Sequence, residues 1–186
     1  LPWNFPLMML AWKMGPALAS GNSVIVKPAE LTSMTALKVA ELAEEAGIPE
    51  GVFQVIPGLG ETAGQAIGRH PDINVISFTG STEIGRRFLE YSAQSNLKRV
   101  TLECGGKNPA EVRQDAKRRD DIARHVVQAA FWNMVQNCTA NSRLIVHKNI
   151  HDALVERIID RTADWRTGDP LDPSNALGAI VSQEQF

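Results

Sequence analysis

Two rhythms of apolar and polar positions run along this chain. Residues 7–18 are apolar almost throughout, with Pro6 near the start and Gly21 past the end, which predicts a buried helix. Residues 23–28 read as a short apolar strand that Pro28 closes. Helical spacing returns over 32–46, with Leu37, Ala40, Leu42 and Ala43 inward and Lys38, Glu41, Glu44 and Glu45 outward, and Gly47 ends it. The unit then repeats: strand 52–56, turn 58–60, helix 61–69; strand 75–78, turn 79–81, helix 82–93; then strand 99–103. Strand, turn and helix at this rhythm predict an α/β fold in which helices wind a parallel sheet.

The pattern changes at Gly105-Gly106-Lys107-Asn108-Pro109, so a domain boundary is expected near 107, with one unit over 1–107 and a second over 108–186. The second unit reads as a short strand, a long helix over about 120–134, a polar loop, a strand over 143–147 and a helix over 152–165. The stretch 168–186, with Pro170 and Pro173, reads as a poorly held loop.

A chain of 186 residues with 44% hydrophobic and 22% charged residues has the composition of a globular protein. Its net charge of −2 argues against nucleic acid or a membrane surface as partner. Two cysteines make no disulfide framework, and point to a reducing, cytoplasmic compartment. No apolar run reaches the ~20 residues of a membrane span. His70, His125, His147 and His151 show no metal-ligand spacing, so no metal is expected.

The candidate chemistry centres on Cys138, set among small polar residues in Gln136-Asn137-Cys138-Thr139-Ala140-Asn141-Ser142, where a thiol is reachable. Cys104 differs. In a strand ending there, Val100, Leu102 and Cys104 share the apolar face, so Cys104 is expected to be buried and inert, while Thr101 and Glu103 face away. Lys27 and Glu30 follow the first strand at its C-terminal end, where open α/β sheets bind ligands. Gly80-Ser81 lies at a strand-to-helix turn, where N–H groups can meet phosphate. Gly58-x-Gly60-x-x-x-Gly64 is one residue off the dinucleotide-binding fingerprint and equally fits a plain tight turn. Trp3 and Phe78 are candidates for a cofactor cleft, with apolar packing the alternative. Lys13, inside an apolar helix, is ordinarily a snorkelling side chain.

Five segments together resemble the aldehyde dehydrogenase superfamily: Pro2-Trp3-Asn4-Phe5-Pro6, the run 21–30, Phe78-Thr79-Gly80-Ser81-Thr82-Glu83-Ile84-Gly85, Leu102-Glu103-Cys104-Gly105-Gly106-Lys107-Asn108-Pro109 and 136–143. The resemblance implies a Rossmann-like cofactor domain followed by the first part of a catalytic domain, within a longer chain of which this is a fragment, inactive alone. It implies that Cys138 attacks an aldehyde, that Asn4 and the Cys138 N–H hold the oxyanion, and that Glu103 activates water to cleave the thioester. Lys13 would lie near the nicotinamide in a proton relay. Lys27 and Glu30 would meet the adenine ribose, and Gly60, Gly64, Gly80, Ser81, Trp3 and Phe78 would complete the dinucleotide site. A carboxylate at Glu30 repels a 2′-phosphate, so NAD is expected, with NADP the alternative. A small aldehyde is the implied substrate and a homo-oligomer the implied full-length state. The segments 95–100 and 165–173 resemble members that oxidise aminoaldehydes.

Two stretches depart from the family. Val135 stands where glycine is usual; if that position needs a positive φ, a β-branched residue is strained there. Glu111 and Arg113 fall where the family has a buried apolar strand, so either charge is forced inward or the strand lies at an edge. A catalytically impaired nucleotide-binding relative is therefore the alternative reading. A Cys–His hydrolase finds no matching histidine motif, although His147 is near in sequence.

Overall fold

The first apolar run folds as helix α1 (Pro6–Ala19). Pro6 occupies its first turn, where a missing N–H costs nothing, and Gly21 takes φ +77° beyond its end. The computed structural model describes residues 1–186, which divide into units 1–105 and 106–186.

In the first unit, α1 leads to strand β1 (Val24–Val26), a 3₁₀ turn, helix α2 (Met34–Glu45) and strand β2 (Phe53–Val55). β1 and β2 pair in parallel, Val26 opposite Val55. Leu10, Val26 and Ala36 form the core here, with Met14, Val39, Phe53 and Val55 packed on it. Burying a side chain of the size of Leu10 contributes roughly 2 kcal/mol. Leu42, expected inward, is 48% exposed; the buried residues of α2 are Ala36 and Ala43. Ala36, Val39 and Ala43 sit at i, i+3 and i+7, and Leu42 falls off that stripe.

The chain continues as a π-helical turn (Gly60–Gly64), helix α3 (Gln65–Arg69), strand β3 (Val75–Gly80), helix α4 (Thr82–Ala93) and strand β4 (Arg99–Cys104). β3 and β4 pair in parallel, Ser77 opposite Thr101 and Thr79 opposite Glu103. The strands thus hydrogen-bond as separate parallel pairs, each joined through a helical crossover, which is the wound α/β arrangement in small pieces. Lys98, at the foot of β4, is only 5% exposed. Its ammonium donates to Gly68 O at 2.8 Å and to Ser95 Oγ at 2.8 Å. Ser92 Oγ donates to the Lys98 carbonyl at 2.7 Å. These bonds replace the water that burial removes. Burial still pulls the Lys98 pKa below its usual value.

The second unit holds strand β5 (Pro109–Val112), helix α5 (Arg119–Phe131), strand β6 (Arg143–Val146) and helix α6 (His151–Thr162). β5 and β6 are parallel, Ala110 opposite Leu144. Val112, Ala123, Ile150 and Leu154 form the core, and Arg157 Nε bonds Asp120 Oδ1 at 3.1 Å between the two helices. Glu111 and Arg113 are exposed and line an open groove of about 1050 Å³, so neither charge enters the core. β5 manages this by sending only Val112 fully inward. Helix α5 stops three residues short of its expected end, because Trp132 turns to an extended ψ of 142°. The stretch after 165, expected to be poorly held, is tied by a bridge between Thr167 and Leu177 and by Ala176 N and Leu177 N donating to Arg166 O at 3.0 Å each.

Candidate active site

Strand β4 alternates as its sequence demands. Arg99, Thr101 and Glu103 are exposed, and Val100, Leu102 and Cys104 are turned inward. Cys104 is half-buried rather than fully enclosed, its sulfur 3.9 Å from Ser81 O and 3.2 Å from where a Cβ on Gly85 would stand.

Glu103 pairs in register with Thr79 on β3, and two residues back Ser77 Oγ accepts a hydrogen bond from Lys13 Nζ at 2.8 Å. Lys13 therefore does not snorkel. Burial pulls its pKa below the usual value, and the nearby Glu103 carboxylate opposes that fall. A half-buried ammonium gives up its proton at lower pH than a free lysine, and the carboxylate limits that fall. Thr79 is buried and its Oγ1 has no hydrogen-bond partner. Neither Ser77 nor Thr79 carries a signal in its sequence neighbours that marks this role, though Thr79 lies inside the segment that carried the resemblance.

Past Thr79 the chain turns into α4. Ser81 is the N-cap, its Oγ accepting from Ile84 N at 3.2 Å. A Cβ at Gly80 would lie 2.6 Å from Phe78 Cζ. The Phe78 ring covers Gly80 and packs on Phe88 with centroids 4.9 Å apart, so apolar packing engages it. The N–H groups of Thr82 and Glu83 at the start of α4, with the helix dipole, favour an anion.

Lys27 and Glu30 form a second polar cluster after β1. Lys27 Nζ donates to Pro28 O at 2.7 Å, Gly58 O at 2.8 Å and Glu30 Oε1 at 3.0 Å. Burial alone would raise the Glu30 carboxyl, but its own backbone N–H, the Lys27 ammonium and the Gly60 N–H outweigh that and hold it below the usual range. Glu30 is thus a carboxylate at neutral pH. The glycine run does not open an ordinary α-helix. Gly58 takes φ +150°, and a Cβ there would meet Ala63 Cβ at 2.8 Å. Gly60–Gly64 makes a π-turn, and a Cβ on Gly64 would stand 3.7 Å from the Lys27 stem. Trp3 and Asn4 are half-buried just ahead of α1.

In the second unit Cys138 is exposed. Before it, Asn133, Met134 and Val135 take φ of 56°, 55° and 65°. Non-glycine residues in that left-handed region cost roughly 1–2 kcal/mol each, Asn least and a β-branched Val most. Val135 therefore does occupy the conformation that suits glycine. After it, side chains and backbone hold the loop. Gln136 Oε1 accepts from Val181 N at 3.1 Å. Asn137 Oδ1 accepts from Thr139 N at 3.0 Å and Thr139 Oγ1 at 2.9 Å. Asn108 Nδ2 donates to Cys138 O at 2.9 Å. Asn108 escaped the sequence reading because its partner lies 30 residues away. His147 Nδ1 accepts from Asn149 N at 3.2 Å, a local cap.

Known proteins match the chain along its whole length. The profile described as the aldehyde dehydrogenase family matches residues 1–186. The aminoacetaldehyde dehydrogenase of Pseudomonas aeruginosa is 64% identical over 186 residues, covering 100% of this chain and 38% of that protein. The structure of a gamma-glutamyl-gamma-aminobutyraldehyde dehydrogenase from Burkholderia cenocepacia superposes with a TM-score of 0.96 at 51% identity, over 98% of this chain and 37% of that one. That of a variant of the P. syringae indole-3-acetaldehyde dehydrogenase AldA, in complex with NAD+ and IAA, gives 0.97 at 46% identity, over 98% and 37%. The chain therefore spans a little over a third of the length of the relatives it matches. Matched along all of its residues, the chain belongs to the aldehyde dehydrogenase family.

Proposed function

We propose that this chain carries the dinucleotide-binding elements and the nucleophile of an enzyme that oxidises an aldehyde to a carboxylic acid with NAD. The observation that carries the reading is the 64% identity to an aminoacetaldehyde dehydrogenase across all 186 residues. Amino-substituted aldehydes are accordingly the substrate class we assign. The name of the gamma-glutamyl-gamma-aminobutyraldehyde dehydrogenase points the same way.

The residues fit a dinucleotide. Thr79 Oγ1 is an orphaned buried hydroxyl at the end of β3. The N-terminus of α4 at Gly80-Ser81 suits a pyrophosphate. Glu30, held charged, suits ribose hydroxyls and disfavours a 2′-phosphate, which favours NAD over NADP. Trp3, Lys27, Gly60 and Gly64 complete the set we assign to the cofactor. Bound NAD would supply a two-electron acceptor for the hydride that leaves the aldehyde carbon.

The chain's own residues do the rest. Cys138, exposed and thus reachable, forms the bond from Sγ to the carbonyl carbon. Asn4 and the Cys138 N–H stabilise the oxyanion, a role worth roughly 3 kcal/mol per donor in acyl chemistry. Loss of hydride leaves a thioester on Sγ. Glu103 takes a proton from water, hydroxide adds to the thioester, and the C–S bond breaks to give acid and thiolate. Lys13, coupled to Glu103 and bonded to Ser77, passes protons onward. The reading is tested with the full-length product of the gene: aldehyde-dependent NAD reduction is expected, and Cys138→Ala should lower it by at least about a thousandfold. Equal rates in the two proteins would overturn it.

One observation favours a second reading. The left-handed φ of 65° at Val135 strains the backbone three residues before the sulfur, which suits a relative that binds nucleotide with impaired turnover. NAD binding without NAD reduction would select it.

A further inference from the structure

We propose that Asn108 is a positioning residue for Cys138, a role that rests on the reading of Cys138 as the nucleophile. The peptide linking Cys138 to Thr139 is gripped at both ends. Its carbonyl accepts from Asn108 Nδ2 at 2.9 Å, and its N–H donates to Asn137 Oδ1 at 3.0 Å. A peptide is planar, so holding its oxygen and its hydrogen leaves it one orientation. That orientation sets ψ of Cys138, and with it the direction in which Sγ leaves the loop.

The two asparagines differ in what they anchor. Asn137 is a loop neighbour and moves with the loop. Asn108 belongs to the segment entering β5, and its own carbonyl accepts from Arg143 N at 3.4 Å, where β6 begins. Asn108 therefore ties the cysteine loop to the paired start of the β5–β6 sheet. The loop needs an outside anchor, because the three preceding left-handed residues are strained and gain by relaxing. A nucleophile works only when its attack geometry is set in advance, and misplacement by about 1 Å costs on the order of a hundredfold.

The bond can be removed without changing shape. Asn108→Asp replaces the donor with a carboxylate that meets the Cys138 carbonyl as a second acceptor. Asn108→Ala removes the donor alone, and Asn108→Ser restores a shorter one. In the full-length protein, the rate of alkylation by iodoacetamide is followed at Cys138, with Cys104 as internal reference. Roughly three- to tenfold slowing is expected at Cys138 in the Asp and Ala variants, no change at Cys104, and partial recovery with Ser. With an aminoaldehyde substrate, kcat should fall by a similar factor while KM for aldehyde and NAD stays within about twofold. As pH falls through the carboxyl range, the Asp variant should approach the parent rate, because a protonated carboxyl can donate again. Unchanged Cys138 alkylation in both variants, or equal slowing at Cys104, would overturn the proposal. Selective slowing at Cys138 in a protein that reduces no NAD would uphold it and overturn the dehydrogenase reading instead.

Discussion

Two turns lead into the proposed chemistry, and they are built in opposite ways. At the β3–α4 turn each residue suits its backbone. Gly80 sits where a Cβ would strike the Phe78 ring at 2.6 Å, and Ser81 caps the helix that follows. In the loop between α5 and β6, Asn133, Met134 and Val135 hold left-handed conformations without a glycine among them. One turn is stable through its own residue types; the other is held against its preferences by bonds from Asn108 and Val181 N. A well-chosen turn can present a rigid row of N–H groups, whereas a strained and tethered one keeps its sulfur dependent on remote partners.

The contrast can be broken from either side. The largest effect belongs to the relaxed turn. Gly80→Ala should lose about 1–3 kcal/mol in urea unfolding, since the Phe78–Phe88 stack must shift to admit a methyl group. A neutral result would mean the ring is loosely held. Next comes the strained loop: Val135→Gly should gain about 1 kcal/mol, strain relief exceeding the entropy cost of glycine. If strain also limits turnover, kcat of the full-length protein rises with it; a loss of stability would show the loop to be unstrained. The smallest effect concerns Lys13. Its folded pKa lies below the usual 10.5, so between the two values the unfolded chain binds more protons and stability rises with pH. Lys13→Met should flatten that rise, by about a few tenths of a kcal/mol for a partly solvated group. Glu103→Gln removes the charge that props the ammonium up and should move the window to lower pH.

What the sequence disclosed tracks how local each cause is. Helix α4 was legible to the residue, since Ser81 caps it and its apolar period is clear. The alternation of β4 was legible for the same reason and put Glu103 and Cys104 on different faces of the strand. The end of α5 was not legible: no Gly or Pro interrupts 131–135, and its apolar composition continues past the stop. Leu42 misled because a large apolar residue outweighs an alanine in any pattern: α2 buries Ala43, as expected, together with Ala36, which was not singled out. Among the residues proposed for chemistry, Cys138, Glu103 and Glu30 stood out through their neighbours in sequence. Ser77 and Asn108 did not, because their partners, Lys13 and Cys138, are 64 and 30 residues distant. For Glu111 and Arg113 the expectation was an inward charge or an edge strand; β5 pairs only with β6 and is such an edge, so Glu111 alternates into solvent and Arg113 stays exposed just past its end.

The enclosed ammonium of Lys98 has a use outside catalysis. With its nitrogen clasped by the Gly68 carbonyl and the Ser95 hydroxyl, no acylating reagent can reach it while helices α3 and α4 stay docked. Its labelling rate therefore counts openings of the first unit, and a mass spectrometer reading that one lysine would follow the unit's breathing without any engineered probe.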